Sequence, residues 1–161
     1  MTNKRTLPGD PQHKGGAIAD IESILRVNHA GEYGARRIYQ GQLAVLRHDP
    51  ETRELLEHMA AQEDVHLAYF DNEIKKRKVR PTIFQPVWHV GGFLMGWATA
   101  RMGRRAAMAC TVAVEDVISK HYGDQLYKLE NSVVEKDLKE KIAQFKAEEE
   151  EHHDIGLENE A

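Results

Sequence analysis

Apolar and small side chains recur at helical spacing along most of this chain, and that period constrains its fold more than any other sequence feature. Asp49 before Pro50 is a suitable helix start, and the short interval there makes the first two helices antiparallel neighbours. No segment of useful length shows the alternation of apolar and polar residues that is typical of a strand. The sequence therefore predicts an all-α protein whose long helices span about 17–47, 50–78, 105–130 and 133–155.

The two ends of the last helix carry their own signals. Ser132 and Glu135 have the spacing of a capping box, in which the two side chains bond to backbone amides at the helix start. Gly156 is a suitable residue for the helix end, because glycine readily adopts the left-handed conformation that closes many helices. We therefore expect this helix to stop near Gly156.

Length and composition limit the number of domains and the class of partner. A length of 161 residues fits one domain, which we expect to span 17–161 after a flexible N-terminal tail at 1–16. The net charge of −4 argues against a general nucleic-acid binder, because binding phosphates requires an excess of Lys and Arg. Cys110 is the only cysteine, so an intrachain disulfide, a cysteine zinc site and an iron–sulfur cluster are excluded.

The segment 81–100 has a different composition from the rest of the chain. It contains no Asp, Glu, Lys or Arg, but its prolines, histidine and glycines make it a poor transmembrane span. Lys and Arg residues stand on both sides of it, and Trp88 and Trp97 lie within it. These features are typical of a helix that lies in a membrane interface, and a buried connecting helix with solvated flanks is the alternative.

Charged residues interrupt the apolar stripe of every long helix. Each stripe contains an inward glutamate, and two stripes add a histidine one turn later; the residues are Glu32, Glu63, His66, Glu115, Glu149 and His152. Four carboxylates in a dry interior are too costly unless cations cancel their charge. With two neutral imidazoles they carry a charge of −4, which two divalent cations would balance. The sequence therefore predicts a buried site for two metal ions.

The order of these residues repeats along the chain, as a lone glutamate followed by a Glu-x-x-His pair. The three-residue step places both members of a pair on one helical face. Two lone glutamates and two such pairs are the ligand set of ferritin-like di-metal proteins, so we expect a ferritin-like four-helix bundle with an additional apolar interfacial helix. Oxygen and imidazole ligands without thiolates suit iron or manganese. A third pair, Glu150 and His153, is expected on a wet acidic face with Glu148 and Glu151, and a supporting role for His153 outside the metals is open.

Other polar residues near these positions have less specific interpretations. Asn28 and His29 flank the turn of Glu32, and we expect them to form hydrogen bonds. Tyr122 shares the helical face of Glu115, where a role beside the metals and ordinary packing are both open.

Five stretches of the sequence closely resemble demethoxyubiquinone hydroxylases, the ferritin-like diiron carboxylate proteins of ubiquinone biosynthesis. They are RVNHAGEYGA at 26–35, QEDVH at 62–66, RPTIFQPVWHVGGF at 80–93, AMACTVAVED at 107–116 and EEEEHHDIGL at 148–157. The similarity covers about 20–158. The resemblance implies that the six residues above bind two irons and carry the catalysis, with Glu63 and Glu149 as bridges between the ions.

The resemblance also implies an activity and its reactants. Members of this family use O2 to hydroxylate the ring of demethoxyubiquinone, a polyprenyl quinone, and NADH is the electron donor that it suggests. Because this substrate lies in the bilayer, the 81–100 segment would dock on the membrane surface. We expect a peripheral protein of the bacterial inner membrane, on its cytoplasmic face, or of the mitochondrial inner membrane, on its matrix face.

Two other functions stay open. A ferritin-like protein with these ligands can oxidise and store iron without an organic substrate, and a helical scaffold or lipid carrier can keep the bundle without metals. The apolar 81–100 segment argues against storage, because storage cages need soluble outer faces. Family members continue past the DIGL motif with another helix, whereas this sequence ends at Ala161. We therefore expect a lipid-presenting protein or a second copy of the chain to cover exposed apolar surface.

Overall fold

The structure is a computed structural model that describes the backbone of residues 11–130 and 135–160. That part of the chain forms five α-helices and no strand. The helices are α1 (Pro11–Leu46), α2 (Pro50–Arg77), α3 (Gln85–Arg101), α4 (Arg104–Leu129) and α5 (Lys136–Glu160). The all-α prediction is confirmed, and α3 is the additional helix that the apolar segment forms.

The first helix begins earlier than the sequence predicts. α1 starts at Pro11 instead of near 17, so 11–16 of the predicted tail are helical. Proline suits a first helical turn, because its φ is fixed near the helical value and its missing amide would have no partner there. The apolar period cannot detect this extension, since PQHKGG contains no apolar residue to define a face. Residues 1–10 lie outside the described part of the chain.

α2 begins at the Asp49-Pro50 pair, as predicted. The Asp49 carboxylate accepts hydrogen bonds from the Thr52 backbone amide, at 3.5 Å, and from the Thr52 hydroxyl, at 2.5 Å. These bonds provide acceptors for amides that have no partner within the helix. The helix ends at Arg77, and Lys78 closes it in the left-handed conformation with φ 57°.

The predicted end of the last helix at Gly156 is wrong, because α5 continues through this residue to Glu160. A Cβ atom at Gly156 would lie 2.7 Å from Cγ2 of Val112 on α4, closer than two carbons can approach. Gly156 is therefore a packing residue that lets α5 lie close to α4. Ser132 of the capping box expected with Glu135 lies outside the described residues.

The helices form two packed pairs, and α3 lies along one of them. α1 packs against α2, α4 packs against α5, and α3 runs along α1 before the chain enters α4. Glycines allow the close approach of α1 and α3. A Cβ atom at Gly96 would overlap the Ile38 carbonyl oxygen, and one at Gly92 would lie 2.9 Å from the Gly34 carbonyl oxygen. A Cβ atom at Gly41 of α1 would likewise overlap the Phe93 carbonyl oxygen of α3.

The outer surface of α3 is apolar and exposed. Its buried residues are the small ones that face α1, namely Gly92, Gly96 and Ala100. Large apolar side chains are exposed along it: Val87, Trp88, Val90, Leu94, Met95 and Trp97. The alternative of a buried connecting helix is therefore wrong. No helix in the described residues has the length and hydropathy that crossing a membrane requires.

Two apolar clusters lie toward opposite ends of the bundle. The larger contains Leu25, Phe70, Tyr122, Ile142 and Phe145. The smaller contains Tyr39, Leu56, Met59 and Met108. On each of α1, α2 and α4, a predicted glutamate lies between residues of the two clusters. The apolar packing therefore shields this middle layer from water on both sides.

Candidate metal centre

Six predicted side chains meet in the middle of the bundle. α1 contributes one, α2 two, α4 one and α5 two: Glu32, Glu63, His66, Glu115, Glu149 and His152. All six are completely buried, with 0% of each residue exposed. The structure thus brings together every residue that the sequence selects for this site.

The side chains form two overlapping groups, each able to surround one cation. In each group, one ligand atom per residue lies within 4.8 Å of all the others. The first group is Glu32, Glu63, His66 and Glu149, and the second is Glu63, Glu115, Glu149 and His152. Glu63 and Glu149 belong to both groups. Cations in the two positions would therefore share these two carboxylates, and each would have its own histidine and its own terminal glutamate.

Both histidines direct the same ring nitrogen toward the carboxylates. Nδ1 of His66 lies 3.0 Å from Glu149 and 3.5 Å from Glu32. Nδ1 of His152 lies 3.1 Å from Glu149 and 3.3 Å from Glu63. Nδ1 is thus the nitrogen that each histidine offers to a cation.

The opposite ring nitrogens contact residues on the outside of the site. Nε2 of His66 lies 2.6 Å from Oε2 of Glu148, and Nε2 of His152 lies 2.6 Å from Oε1 of Gln62. Neither acceptor can receive a hydrogen bond unless Nε2 carries the proton. This hydrogen bond keeps Nδ1 free of a proton in the neutral ring, which is the form that binds a metal.

Two tyrosine hydroxyls hold the terminal glutamates. Tyr39 donates to Oε1 of Glu115 at 2.6 Å, and Tyr122 donates to Oε1 of Glu32. Each hydrogen bond leaves the second carboxylate oxygen of its glutamate without a hydrogen-bond partner. The tyrosines therefore orient both carboxylates so that Oε2 remains available to a cation.

The site contains an unusual number of buried atoms without hydrogen bonds. Within the described residues, eight such atoms belong to these side chains: Oε2 of Glu32, both oxygens of Glu63, Oε2 of Glu115, both oxygens of Glu149 and Nδ1 of both histidines. Buried polar atoms in native proteins nearly always have a partner. Oxygen and imidazole atoms that face one another without partners fit a pair of hard divalent cations.

The pKa values of the site show that burial and neighbouring charges make ionised carboxylates unfavourable there without cations. Burial raises the pKa of Glu63 and Glu115 well above the ordinary value, and the charge of Glu149 raises both further. Burial also opposes ionisation of Glu149, but the imidazole rings of His152 and His66, whose Nδ1 atoms lie 3.1 Å and 3.0 Å away, outweigh it and lower its pKa to about 2. Burial lowers the pKa of His66, yet the nearby carboxylates of Glu149 and Glu32 raise that pKa to about 10. Protons and cations would therefore compete for these side chains.

Polar pairs beside the site join α1 to its neighbours. Asn28 and Gln125 exchange two hydrogen bonds, of 2.9 Å and 2.6 Å, between their side-chain amides. Nε2 of His29 lies 3.0 Å from Oδ1 of Asp71 on α2. The expectation that Asn28 and His29 form hydrogen bonds is confirmed. Tyr122 both packs in the core and donates a hydrogen bond to Glu32.

Sequence reasoning missed three residues that support the site, because it also places Glu148 on the wet acidic face, whereas Glu148 contacts Nε2 of His66. Tyr39 has the pattern of an ordinary core residue, and Gln62 stands next to Glu63 without an apolar stripe to mark its direction. Neither contact has a signal in the helical period, because both partners lie on other helices. The third Glu-x-x-His pair behaves as expected: Glu150 is exposed and bonds Lys146, and His153 lies outside both ligand groups.

Comparison with known proteins gives the same family as the sequence motifs. The family model of ubiquinone biosynthesis protein COQ7 matches residues 19–161. The chain is 50% identical over 158 residues to a 3-demethoxyubiquinol 3-hydroxylase of Rhodospirillum rubrum, covering 98% of the chain and 72% of that protein.

Two mitochondrial relatives are named NADPH-dependent 3-demethoxyubiquinone 3-hydroxylase. The protein of Dictyostelium discoideum is 53% identical over 142 residues, which are 88% of the chain and 65% of that protein. The protein of Homo sapiens is 46% identical over 145 residues, which are 89% of the chain and 66% of that protein. The chain thus spans about two thirds of the length of these relatives. By the family match and these identities, it belongs to the ubiquinone biosynthesis protein COQ7 family.

Proposed function

We propose that this chain is a diiron monooxygenase that hydroxylates the ring of demethoxyubiquinone in ubiquinone biosynthesis, with O2 as the oxidant. The observation that carries the proposal is the pair of overlapping ligand groups that share Glu63 and Glu149. The names of the relatives, which specify hydroxylation of demethoxyubiquinone or its quinol, support the substrate and the reaction.

Each residue of the site has a distinct part in this proposal. Glu32 and His66 would hold one iron, Glu115 and His152 would hold the other, and the shared pair would bind both. Bound irons would supply the activation of dioxygen. The protein around them would keep the ligands oriented, through Tyr39 and Tyr122 among others, and would exclude water from the centre.

The exposed face of α3 supports a membrane surface as the place where the quinone is met. Trp88 and Trp97 are 46% and 44% exposed along this apolar face, and the exposed cations Arg80 and Arg101 flank it. Tryptophans favour the headgroup region of a bilayer, and basic residues are attracted to anionic lipids. We propose peripheral binding at the bacterial inner membrane, on its cytoplasmic face, or at the mitochondrial inner membrane, on its matrix face. A lipid-presenting protein or a second copy of the chain would be a further partner on this face.

The electron donor in this proposal is a reduced nicotinamide nucleotide. The resemblance of the sequence implies NADH, whereas the relatives from Dictyostelium discoideum and Homo sapiens are named for NADPH. Oxidation of each nucleotide by the purified enzyme, with and without the quinone, would determine which one serves this chain.

Replacing one proposed iron ligand tests the function most simply. Glu115→Ala and His66→Ala should abolish hydroxylation of a demethoxyubiquinone analogue and lower iron content, while far-ultraviolet circular dichroism stays near that of the wild type. Glu150→Ala is the matched control, because Glu150 is exposed and belongs to the one Glu-x-x-His pair outside the site. Unchanged turnover in Glu115→Ala or His66→Ala would exclude this site.

Flotation with liposomes and particle size separate the hydroxylase from an iron-storage protein. A small assembly that binds anionic liposomes, and loses that binding in a Trp88→Ser/Trp97→Ser variant, would agree with the proposal. Val65→Ser is the control, since Val65 on α2 is also exposed, at 61%. A large iron-loaded shell without lipid binding would favour storage instead.

A further inference from the structure

The two halves of the site have the same kinds of ligand but differ in the residues that contact the histidines from outside. Each half has one histidine, one terminal glutamate held by a tyrosine, and the two shared glutamates. Outside the ligands, His66 contacts a carboxylate, Glu148, whereas His152 contacts a neutral amide, Gln62, both at 2.6 Å. Each contacting residue comes directly before the shared glutamate of the opposite Glu-x-x-His pair.

We propose that Glu148 and Gln62 are positioning residues that make the two metal positions unequal, so that the position with Glu32 and His66 binds a divalent cation more tightly. The inference deepens the proposed metal centre and rests on it. The tyrosine bonds to Glu32 and Glu115 are of the same kind, so they do not distinguish the two positions.

A carboxylate acceptor changes the histidine in a way that an amide does not. The negative charge of Glu148 draws the Nε2 proton of His66 toward it, and this raises the electron density at Nδ1, the nitrogen that faces the site. The same charge also attracts the cation directly. Gln62 accepts a hydrogen bond from His152 and fixes its orientation, but it brings no charge.

The surroundings of Glu148 keep this carboxylate in place. Its second oxygen, Oε1, accepts a hydrogen bond of 2.8 Å from Nε2 of Gln144. A quarter of the side chain, 25%, is exposed, so water still solvates the charge. Both oxygens of Glu148 are thus fixed, and one of them points at His66.

Variants that keep one metal position each allow the two to be compared directly. Glu115→Ala leaves the group with His66 and Glu148, and Glu32→Ala leaves the group with His152 and Gln62. Anaerobic titration of the purified full chain with Co²⁺, followed by visible absorption, should show binding to Glu115→Ala that is about tenfold tighter or more. Equal affinity, or tighter binding by Glu32→Ala, would overturn the inference.

Exchanging the outer residues tests the cause. Glu148→Gln added to Glu115→Ala should weaken Co²⁺ binding about tenfold, and Gln62→Glu added to Glu32→Ala should strengthen it by a similar factor. Glu150→Gln is the control for a change of charge on α5 without a histidine contact, and it should leave both affinities unchanged. Affinities that do not respond to the exchange, or that respond equally to Glu150→Gln, would contradict the assignment of Glu148 and Gln62.

The intact site provides a second readout if a single-position variant does not fold. With all six ligands present, the two Co²⁺ binding constants should be well separated in the wild type and closer together in Gln62→Glu. A wild type that binds two Co²⁺ ions with constants that Gln62→Glu does not change would refute this inference alone. A wild type that takes up no Co²⁺ would refute the proposed metal centre as well.

Discussion

At the scale of single residues, the site depends on hydrogen bonds that turn charged side chains toward one another. Tyr39 and Tyr122 each use the hydroxyl to hold one oxygen of a glutamate. Burial raises the pKa of both phenols well above the ordinary value, and the charges of Glu115 and Glu32 respectively raise it further. Both tyrosines therefore stay protonated as donors. The ligands of the site are thus held in place before any ion arrives.

Removing one of these donors should weaken ion binding without unfolding the protein. In Tyr39→Phe, Glu115 loses the bond that orients it, and we expect its metal affinity to fall about 10–100-fold. Tyr127→Phe is the control, because Tyr127 is on the same helix as Glu115 but 80% exposed. Titration with Co²⁺ checks both variants, and equal affinities would show that the Tyr39 hydroxyl does not position Glu115.

The ion-free protein should become less stable as the pH rises. The pKa of His66 is about 10 in the folded state and 6.5 in its ordinary state, so the folded protein binds more protons between these values. The raised pKa values of Glu63 and Glu115 act in the same direction above 4.5, their ordinary value. The stabilisation is therefore complete below the ordinary pKa and is lost as pH rises through the folded one.

Chemical unfolding with a chelator present, at several pH values, measures this trend. We expect the free energy of unfolding to fall from pH 6.5 towards pH 10. Saturating Co²⁺ should reverse the trend, because cations bind the deprotonated ligands and the stability gained from them grows with pH. A stability of the ion-free protein that rises with pH over this range would contradict the account.

At the scale of the helices, glycines decide where elements can approach. The apolar period predicts which face of a helix is buried, and it placed the glutamates of α1, α2, α4 and α5 correctly. It does not report how close two helices come. That distance depends on pairs such as Gly156 with Val112 and Gly96 with Ile38, whose members are far apart in the sequence. The sequence alone therefore predicts a helix end at Gly156, whereas the structure shows a packing residue there.

Two glycines of α3 should respond in opposite ways to the same substitution. A methyl group at Gly96 would overlap the Ile38 carbonyl, so Gly96→Ala should lower the free energy of unfolding by about 1–3 kcal/mol. Gly91 has nothing within 4 Å of an added Cβ, so Gly91→Ala should raise it by up to about 1 kcal/mol. Urea unfolding compares the two. Equal effects would mean that α3 does not pack on α1 through Gly96.

At the scale of the whole molecule, the chain combines a dry polar centre with an apolar outer helix. The ligand order alone predicted the bundle, because four inward glutamates on four helices can meet only at a common axis. The sequence could not predict which residues complete the site from across the bundle, such as Gln62 opposite His152. The sequence also leaves open whether the 81–100 segment is buried. That result depends on the small residues of α3 facing α1 while its large ones face outward.

Counting bound ions shows whether the six buried side chains hold two metal ions. After anaerobic loading with ferrous iron and removal of the excess, we predict two ions per chain in the wild type and in Glu150→Ala. Glu115→Ala should retain fewer than two, because it removes a ligand of one position and keeps the other group complete. A wild type that retains no iron, or a Glu115→Ala variant that retains as much iron as the wild type, would contradict a buried two-iron centre.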